Sequence, residues 1–277
     1  MHQDFTTINE KIQSFLKKEE EKSYTLADKK YKLPLSDAIF CARDTVRNRG
    51  FYKAIKTALP SVIPACLESP NTEALTPNTK PLLKALDDNC TVIDAGSGTG
   101  VLGIFALYLG ADKCYFLEHN PHTLELSKKL IKYLGYEKKA HFIQCDATSY
   151  IPPEKYNLLI SETITSGFIE EDFPKIVNHL KKFGKENSII IPEAFELFYR
   201  SYSINSFRHP EPVEGSLLDS NDFNLNLQSK KGIDTKKITA KLKKDTKYEC
   251  SMNVQLYKDI YLKSGECVSF ANKRNFY

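Results

Sequence analysis

The sequence predicts an α/β fold: a mostly parallel sheet with helices on both faces, followed by a small β-rich C-terminal region. Three observations predict it. The first is the stretch from Cys90 to Glu118, CTVIDAGSGTGVLGIFALYLGADKCYFLE, which reads strand, glycine loop, helix, strand. Its glycines, Gly96, Gly98 and Gly100, alternate at a sharp turn, where glycine lets the backbone come close to a ligand. The second is that short apolar runs and helical segments continue to alternate after it, with runs at Ala140 to Cys145 and Tyr156 to Ser161. The third is a change of period after Pro192, where FELFYRSY alternates as a strand does.

Taken in order, Ile8, Ile12, Phe15 and Leu16 predict a first amphipathic helix over Ile8 to Leu16. Pro34 breaks the chain and Ser36 is placed to cap the next helix. DAIFCARDTVRNRGFYKAI then reads as one helix ending near Gly50 and a second through Ile55 to Leu59. Pro60 to Pro81 reads as a connecting loop around one short apolar piece, and Leu82, Leu83 and Leu86 as a short helix into the first strand. Val101 to Leu109 is the helix after the glycines, stopped by Gly110, and Cys114 to Leu117 is the second strand. Asn120 caps the next helix, Pro121 opens it and Gly135 ends it. Ala140 to Cys145 and Tyr156 to Ser161 are the third and fourth strands, a helix starts near Phe173, and Ser188 to Ile191 is the fifth strand. Val254 to Leu262 and Glu266 to Phe270 read as later strands. Between them FRHPEPVEGSLLDSN has poor periodicity and reads as an exposed excursion; it resembles the translated form of a mobile palindromic repeat found in some bacterial genomes. The expected organisation is an N-terminal helical extension (1–35), a ligand-binding domain (36–193) and an incomplete β-rich region (194–277), with a disordered or inserted loop around 205–247.

Composition narrows the class. The 277 residues suffice for one large domain or one and a half, and no apolar run reaches the ~20 residues of a membrane helix. The first residues are polar and charged, unlike a secretory signal. Seven cysteines without a C-x-x-C pair read as reduced thiols, so the expected compartment is the cytoplasm, with no membrane partner. Residues 1–200 carry 26 basic and 26 acidic side chains and residues 201–277 carry 13 and 9, so the net charge of +4 lies in the last quarter. A lysine run there, SKKGIDTKKITAKLKKDTK, reads more simply as a solvated face than as a nucleic-acid site.

The ligand chemistry follows from acids. Gly98, Gly100 and Gly103 match the dinucleotide spacing, but D-A-G-S-G-T-G places a carboxylate, Asp94, ahead of the glycines. That charge would repel a pyrophosphate and suits a cationic ligand such as S-adenosyl-L-methionine. Glu118 ends the second strand, where a carboxylate can accept from both hydroxyls of a ribose, and Asp146 ends the third. His119, His122 and His141 lie nearby, without a cysteine or carboxylate at metal spacing, so no metal is expected.

The glycine stretch closely resembles the motif of class I methyltransferases, which implies a Rossmann-like sheet of seven-strand type and S-adenosyl-L-methionine as cofactor. The resemblance implies that Asp94 and the Gly96, Gly98, Thr99, Gly100 turn hold the methionine part, Glu118 the ribose and Asp146 the adenine. Asp44 to Arg47 (D-T-V-R) with Tyr52 and Ala54-Ile55, the Ser161-Glu162 pair, and I-P-E at Ile191 to Glu193 resemble the protein arginine methyltransferase branch over about residues 36–200. That implies Arg47 on the cofactor carboxylate, and Glu162 with Glu171 as the acids that clamp a guanidinium acceptor. Glu171, with Glu170 and Asp172, also fits an ordinary acidic first turn for the helix near Phe173. Three features depart from the branch. The chain has no tryptophan, so the threonine-histidine-tryptophan loop is missing; the tyrosine-rich N-terminal pattern is absent; and only about 80 residues follow Pro192, short for the family's barrel. The expected partner is therefore a protein or small-molecule methyl acceptor. Transfer to lysine, to a ribosomal protein or to a small molecule stays open, as does a shortened, non-catalytic relative. Related enzymes are often homodimers, but the arm that makes the dimer is not located in this sequence.

Overall fold

The computed structural model describes residues 4–20, 34–62, 89–164, 172–202, 212–217, 224–226, 247–263 and 274–276. Glu171, the predicted Leu82 to Leu86 helix and the predicted Glu266 to Phe270 strand lie outside them.

Helix α1 (Phe5–Glu20) extends the predicted stripe, burying Phe5, Ile8, Ile12 and Leu16. Helices α2 (Leu35–Arg43) and α3 (Thr45–Val62) correct the reading of the next segment, because the break falls at Asp44 and not near Gly50. Asp44 is extended (φ −69°, ψ 96°), and its Oδ1 accepts from the backbone N of Arg47 at 3.0 Å, so it caps α3. Gly50 lies inside α3 for want of space: a Cβ there would sit 2.9 Å from Leu262 Cδ2 and 3.1 Å from Leu256 Cδ1. Pro60 also lies within α3, which runs on to Val62. A proline in the last turn forfeits only one backbone bond, and the carbonyl of Val62 is held from outside by Asn157 Nδ2 at 3.0 Å.

Strands β1 (Thr91–Ala95), β2 (Lys113–Glu118), β3 (Ala140–Gln144), β4 (Tyr156–Ser161) and β5 (Gly184–Ile191) form a five-stranded sheet in the order β3-β2-β1-β4-β5. Every pairing in it is parallel. Both β1 and β4 are buried at every residue, the near-continuous apolar run a central parallel strand requires. Helix α4 (Val101–Tyr108) follows β1 and is buried almost all round. Its Gly103 is a packing residue: a Cβ would fall 2.4 Å from Phe116 Cε1 and 2.8 Å from Cys114 Sγ on β2. Helix α5 (Pro121–Leu134) joins β2 to β3, with Asn120 Oδ1 accepting from His122 N at 3.0 Å and Gly135 ending it in the left-handed region, as predicted. Helix α6 (Phe173–Leu180) lies between β4 and β5.

The seven-strand expectation is corrected after β5. Pro192 and Glu193 turn the chain out of the parallel sheet; the Ile191–Pro192 peptide is cis. Strand β6 (Ala194–Tyr202) then pairs antiparallel with β9 (Lys247–Tyr257), from Ala194↔Gln255 to Tyr202↔Lys247. Strands β7 (Pro212–Leu217), β8 (Asn224–Asn226), β10 (Ile260–Leu262) and β11 (Arg274–Phe276) complete a separate six-stranded sheet. Part of the predicted excursion, Pro212–Leu217, is thus a strand paired with β6. Backbone hydrogen bonding along a sheet edge needs no alternation of side chains, so the pattern hides it. Phe195, Leu197, Met252, Val254 and Leu256 from this sheet share one apolar core with α3 and the parallel sheet. Among the described residues no helix is long and apolar enough to cross a membrane.

Candidate active site

The parallel sheet changes direction at β1: the chain builds outward through β2 and β3, then returns to place β4 on the other side. Such a switch point opens a crevice at the carboxyl ends of the strands. A cavity of about 400 Å³ lies there, walled by the residues that come after β1 to β4, by α2 and α3, and by Asp172 and Ile176 at the start of α6.

The glycine loop forms its floor. Gly96 and Gly98 have φ of +68° and +53°, a region side-chain-bearing residues rarely enter. The backbone N groups of Gly96 and Ser97 both donate to Leu117 O at 2.9 Å, which fixes the loop against β2. A Cβ at Gly96 would fall 2.1 Å from Thr163 Cγ2, whereas one at Gly98, on the cavity wall, would meet nothing within 4 Å. The loop therefore leaves room for a ligand. Ser97 Oγ is buried with no hydrogen-bond partner.

Three predicted acids take different stations. Glu118 is on the wall, with Oε2 accepting from Gly98 N and Oε1 from Asn120 N, both at 2.8 Å. Burial raises its pKa, opposed by those backbone donors. Asp146 is also on the wall, and Thr148 donates to its Oδ1 from the backbone N at 2.8 Å and from Oγ1 at 2.7 Å. Those two bonds hold its carboxyl below the usual range. Asp94, fully buried, is not among the residues that line the cavity. Its Oδ2 accepts from Gly103 N at 2.8 Å, which ties the end of β1 to α4. Burial pushes its pKa up to about 7, against the pull of the Gly103 donor and the Arg47 charge. Gly100, at φ +81°, turns the chain into α4 and does not line the cavity, while Thr99 does.

Arg47 and Glu162 are brought together. They come from α3 and the end of β4, and Arg47 Nη2 donates to Glu162 Oε2 at 2.5 Å. Their side chains are only 7% and 13% exposed, so this is a buried ion pair beside the cavity. Burial alone would lower the Arg47 pKa, but the charge and hydrogen bond of Glu162 more than offset it and hold it raised. Asn48, fully buried, accepts from Arg47 Nη1 at 2.9 Å and donates from Nδ2 to Ala42 O at 2.8 Å. Arg47 Nε is buried and has no partner.

Sequence reasoning missed Asn48, Ser97, Thr148, Thr163 and Ile176. Thr148 was findable, since Asp-x-Thr after a strand is the pattern of a side-chain-closed turn. The others carry no local signal. Among the described residues no group of three or more His, Cys, Asp or Glu is placed to hold a metal ion; His141 instead stacks on Tyr115 with ring centroids 4.9 Å apart.

Comparison with known proteins agrees with this architecture. An uncharacterised protein of Methanocaldococcus jannaschii is 32% identical over 111 residues, 39% of this chain and 42% of that protein. Protein arginine N-methyltransferase 6 of Xenopus laevis is 28% identical over 109 residues, 39% and 32% of the two chains. An arginine N(omega)-methyltransferase of Streptomyces achromogenes subsp. streptozoticus is 28% identical over 127 residues, 44% and 35%. The chain thus spans less than half the length of these curated relatives. Among solved structures, protein arginine methyltransferase 10 of Arabidopsis thaliana superposes with a TM-score of 0.56 at 13% identity, covering 88% of this chain and 85% of that one. The PRMT1 enzyme–prozyme complex of Trypanosoma brucei with AdoHcy gives 0.55 at 12%, covering 86% and 82%. A family model described as a methyltransferase domain matches residues 86–257, from just ahead of β1 to the end of β9. The chain belongs to the methyltransferase domain family.

Proposed function

We propose that the cavity binds S-adenosyl-L-methionine and that the chain transfers its methyl group to a nitrogen of an arginine side chain in a protein. The observation that carries this reading is the charge of the cavity: among the described residues, Glu118, Asp146, Glu162 and Asp172 line it against the guanidinium of Arg47. Such a wall favours a cation over a phosphate. The residues fit the cofactor, since the open space at Gly98 and the unpartnered buried Ser97 Oγ and Arg47 Nε offer room and donors.

The cofactor supplies, when bound, a methyl group on a positively charged sulfur. The work of the chain is to bind, orient and exclude water. Backbone donors, Gly98 N on Oε2 and Asn120 N on Oε1 among them, fix the Glu118 carboxylate on the cavity wall, where it can still accept from a ribose hydroxyl. Asp146 keeps its Oδ2 for an exocyclic amine, with Oδ1 occupied by Thr148. Arg47 offers its guanidinium to the carboxylate of the amino-acid part. Asp94 braces the start of α4, behind the loop, through Gly103 N. Glu162, nearly buried, is the anion that holds a guanidinium acceptor in place. It would take the N–H proton the nitrogen gives up as the bond from nitrogen to the methyl group forms and the S–CH3 bond breaks to leave a neutral thioether. Glu171 joins it in this reading. Alignment of this kind can be worth about 7–11 kcal/mol, and fixed anions in a dry pocket add to it.

A second reading takes free arginine as the acceptor, and the similarity to the Streptomyces arginine N(omega)-methyltransferase favours it. One experiment separates the two: tritium transfer from labelled cofactor into lysate protein, into arginine-containing peptides and into free L-arginine. Label in protein or peptide arginine supports the first reading and label in free arginine alone the second. Cofactor binding without transfer to any acceptor overturns both and leaves a binding protein. A homodimer and a cytoplasmic location are part of the proposal, checked by light scattering and by fractionation.

A further inference from the structure

The Arg47–Glu162 pair joins the two residues to which the proposed function gives opposite partners, one anionic and one cationic. The geometry points to a latch: only a nucleoside that carries a carboxylate opens this pair, and opening it is what releases Glu162 to take the acceptor. This rests on the proposed binding of S-adenosyl-L-methionine in the cavity.

A guanidinium presents its five N–H groups along edges, and a carboxylate grips it best with two parallel bonds to one edge. Asn48 holds Nη1 of Arg47, and Asn48 is itself buried and tied to Ala42 O at 2.8 Å, so that side is fixed. The edge that remains is Nε with Nη2. Nε has no partner, and Nη2 is on Glu162 at 2.5 Å. An incoming carboxylate that takes this edge satisfies Nε and puts a second anion on Nη2, so that Glu162 no longer has the guanidinium charge to itself. With nothing in its place, Glu162 is neutralised by Arg47 and has little attraction left for a second cation. Once the edge is filled, Glu162 is a buried carboxylate with its pairing shared or lost, a costly state that an incoming guanidinium relieves. Cofactor before acceptor is the order this imposes, and neither residue alone produces it.

The test compares S-adenosylhomocysteine, which carries the carboxylate, with 5′-methylthioadenosine, which has the same nucleoside and lacks the whole amino-acid end, carboxylate and ammonium together, by calorimetry. In Glu162→Gln the competing anion is gone, and of the carboxylates near Arg47 only Asp44 and Asp94 still act on it. The expected result is S-adenosylhomocysteine binding tightened about tenfold, with 5′-methylthioadenosine affinity unchanged. Unchanged or weakened S-adenosylhomocysteine binding by a folded variant overturns the latch. The unaltered chain provides a measurement free of folding effects: agmatine, a guanidinium cation without a carboxylate, is titrated into each nucleoside complex. Agmatine binding with S-adenosylhomocysteine and not with 5′-methylthioadenosine supports the proposal, and equal binding, or none, in both overturns it. Failure of both nucleosides to bind at all overturns the functional reading with it, whereas binding of both without a difference removes the latch alone.

Discussion

At the scale of single residues, three carboxylates that look equivalent along the chain hold three different positions. Asp94 is buried under the loop, and its folded-state pKa of about 7 lies above the ordinary value of 3.8. A group raised in this way favours folding most below its unfolded pKa, and that contribution is lost as pH rises through the folded value. Stability should therefore fall between about pH 4 and pH 7 by an amount on the order of a few kcal/mol at most. Asp94→Asn keeps an acceptor for Gly103 N and removes the charge, so its melting temperature should lack that component of the decline. Parallel pH profiles of the two proteins would contradict the assignment. Glu118 differs, because its oxygens serve backbone donors, Gly98 N and Asn120 N among them, and it also lines the cavity. Glu118→Ala should weaken S-adenosylhomocysteine binding and also lower stability by roughly 1–3 kcal/mol, since partly buried donors lose their acceptor. Titration calorimetry and urea unfolding read the two effects separately.

At the scale of elements, stability is concentrated at junctions. Asn157 receives Thr91 N on Oδ1 at 3.0 Å and gives Nδ2 to Val62 O at 3.0 Å, joining β1, β4 and the end of α3. Asn157→Ala leaves both backbone groups buried without this partner and should cost about 2–6 kcal/mol in denaturant unfolding, twice the usual single loss. At Gly96 the positive φ and the 2.1 Å approach to Thr163 together predict that Gly96→Ala displaces the loop after β4 and weakens nucleoside binding more than stability. The sequence makes some of these elements legible and conceals others. Strands β1, β2 and β4 are readable to within a residue or so because a buried parallel strand is a mostly apolar run, and α5 because Asn120, Pro121 and Gly135 mark its ends chemically. Asp44 misleads because a residue that caps one helix and closes another looks, in a row of letters, like a turn of a single helix. Gly50 misleads for the opposite reason: its place is set by Leu256 and Leu262, more than two hundred positions away. The encounter of Arg47 with Glu162 spans 115 positions, and each residue was intelligible only against a ligand, never against the other.

At the scale of the whole molecule, the two sheets are not independent. Phe195, Leu197, Met252, Val254 and Leu256 lie in the same core as Phe51, Ile55 and Leu59 of α3, and α3 also carries Arg47. Thermal unfolding followed by fluorescence and by far-UV circular dichroism should accordingly show one coincident transition, and two separated transitions would contradict a shared core. The packing of Gly103 extends this to evolutionary time. Its helix needs no unusual backbone angle there, so a methyl group is barred by its neighbours on β2 alone, the ring of Phe116 first and the sulfur of Cys114 beside it. A lineage that enlarges position 103 should be found to have trimmed position 116 in compensation, leaving a pair of sites whose histories are written together.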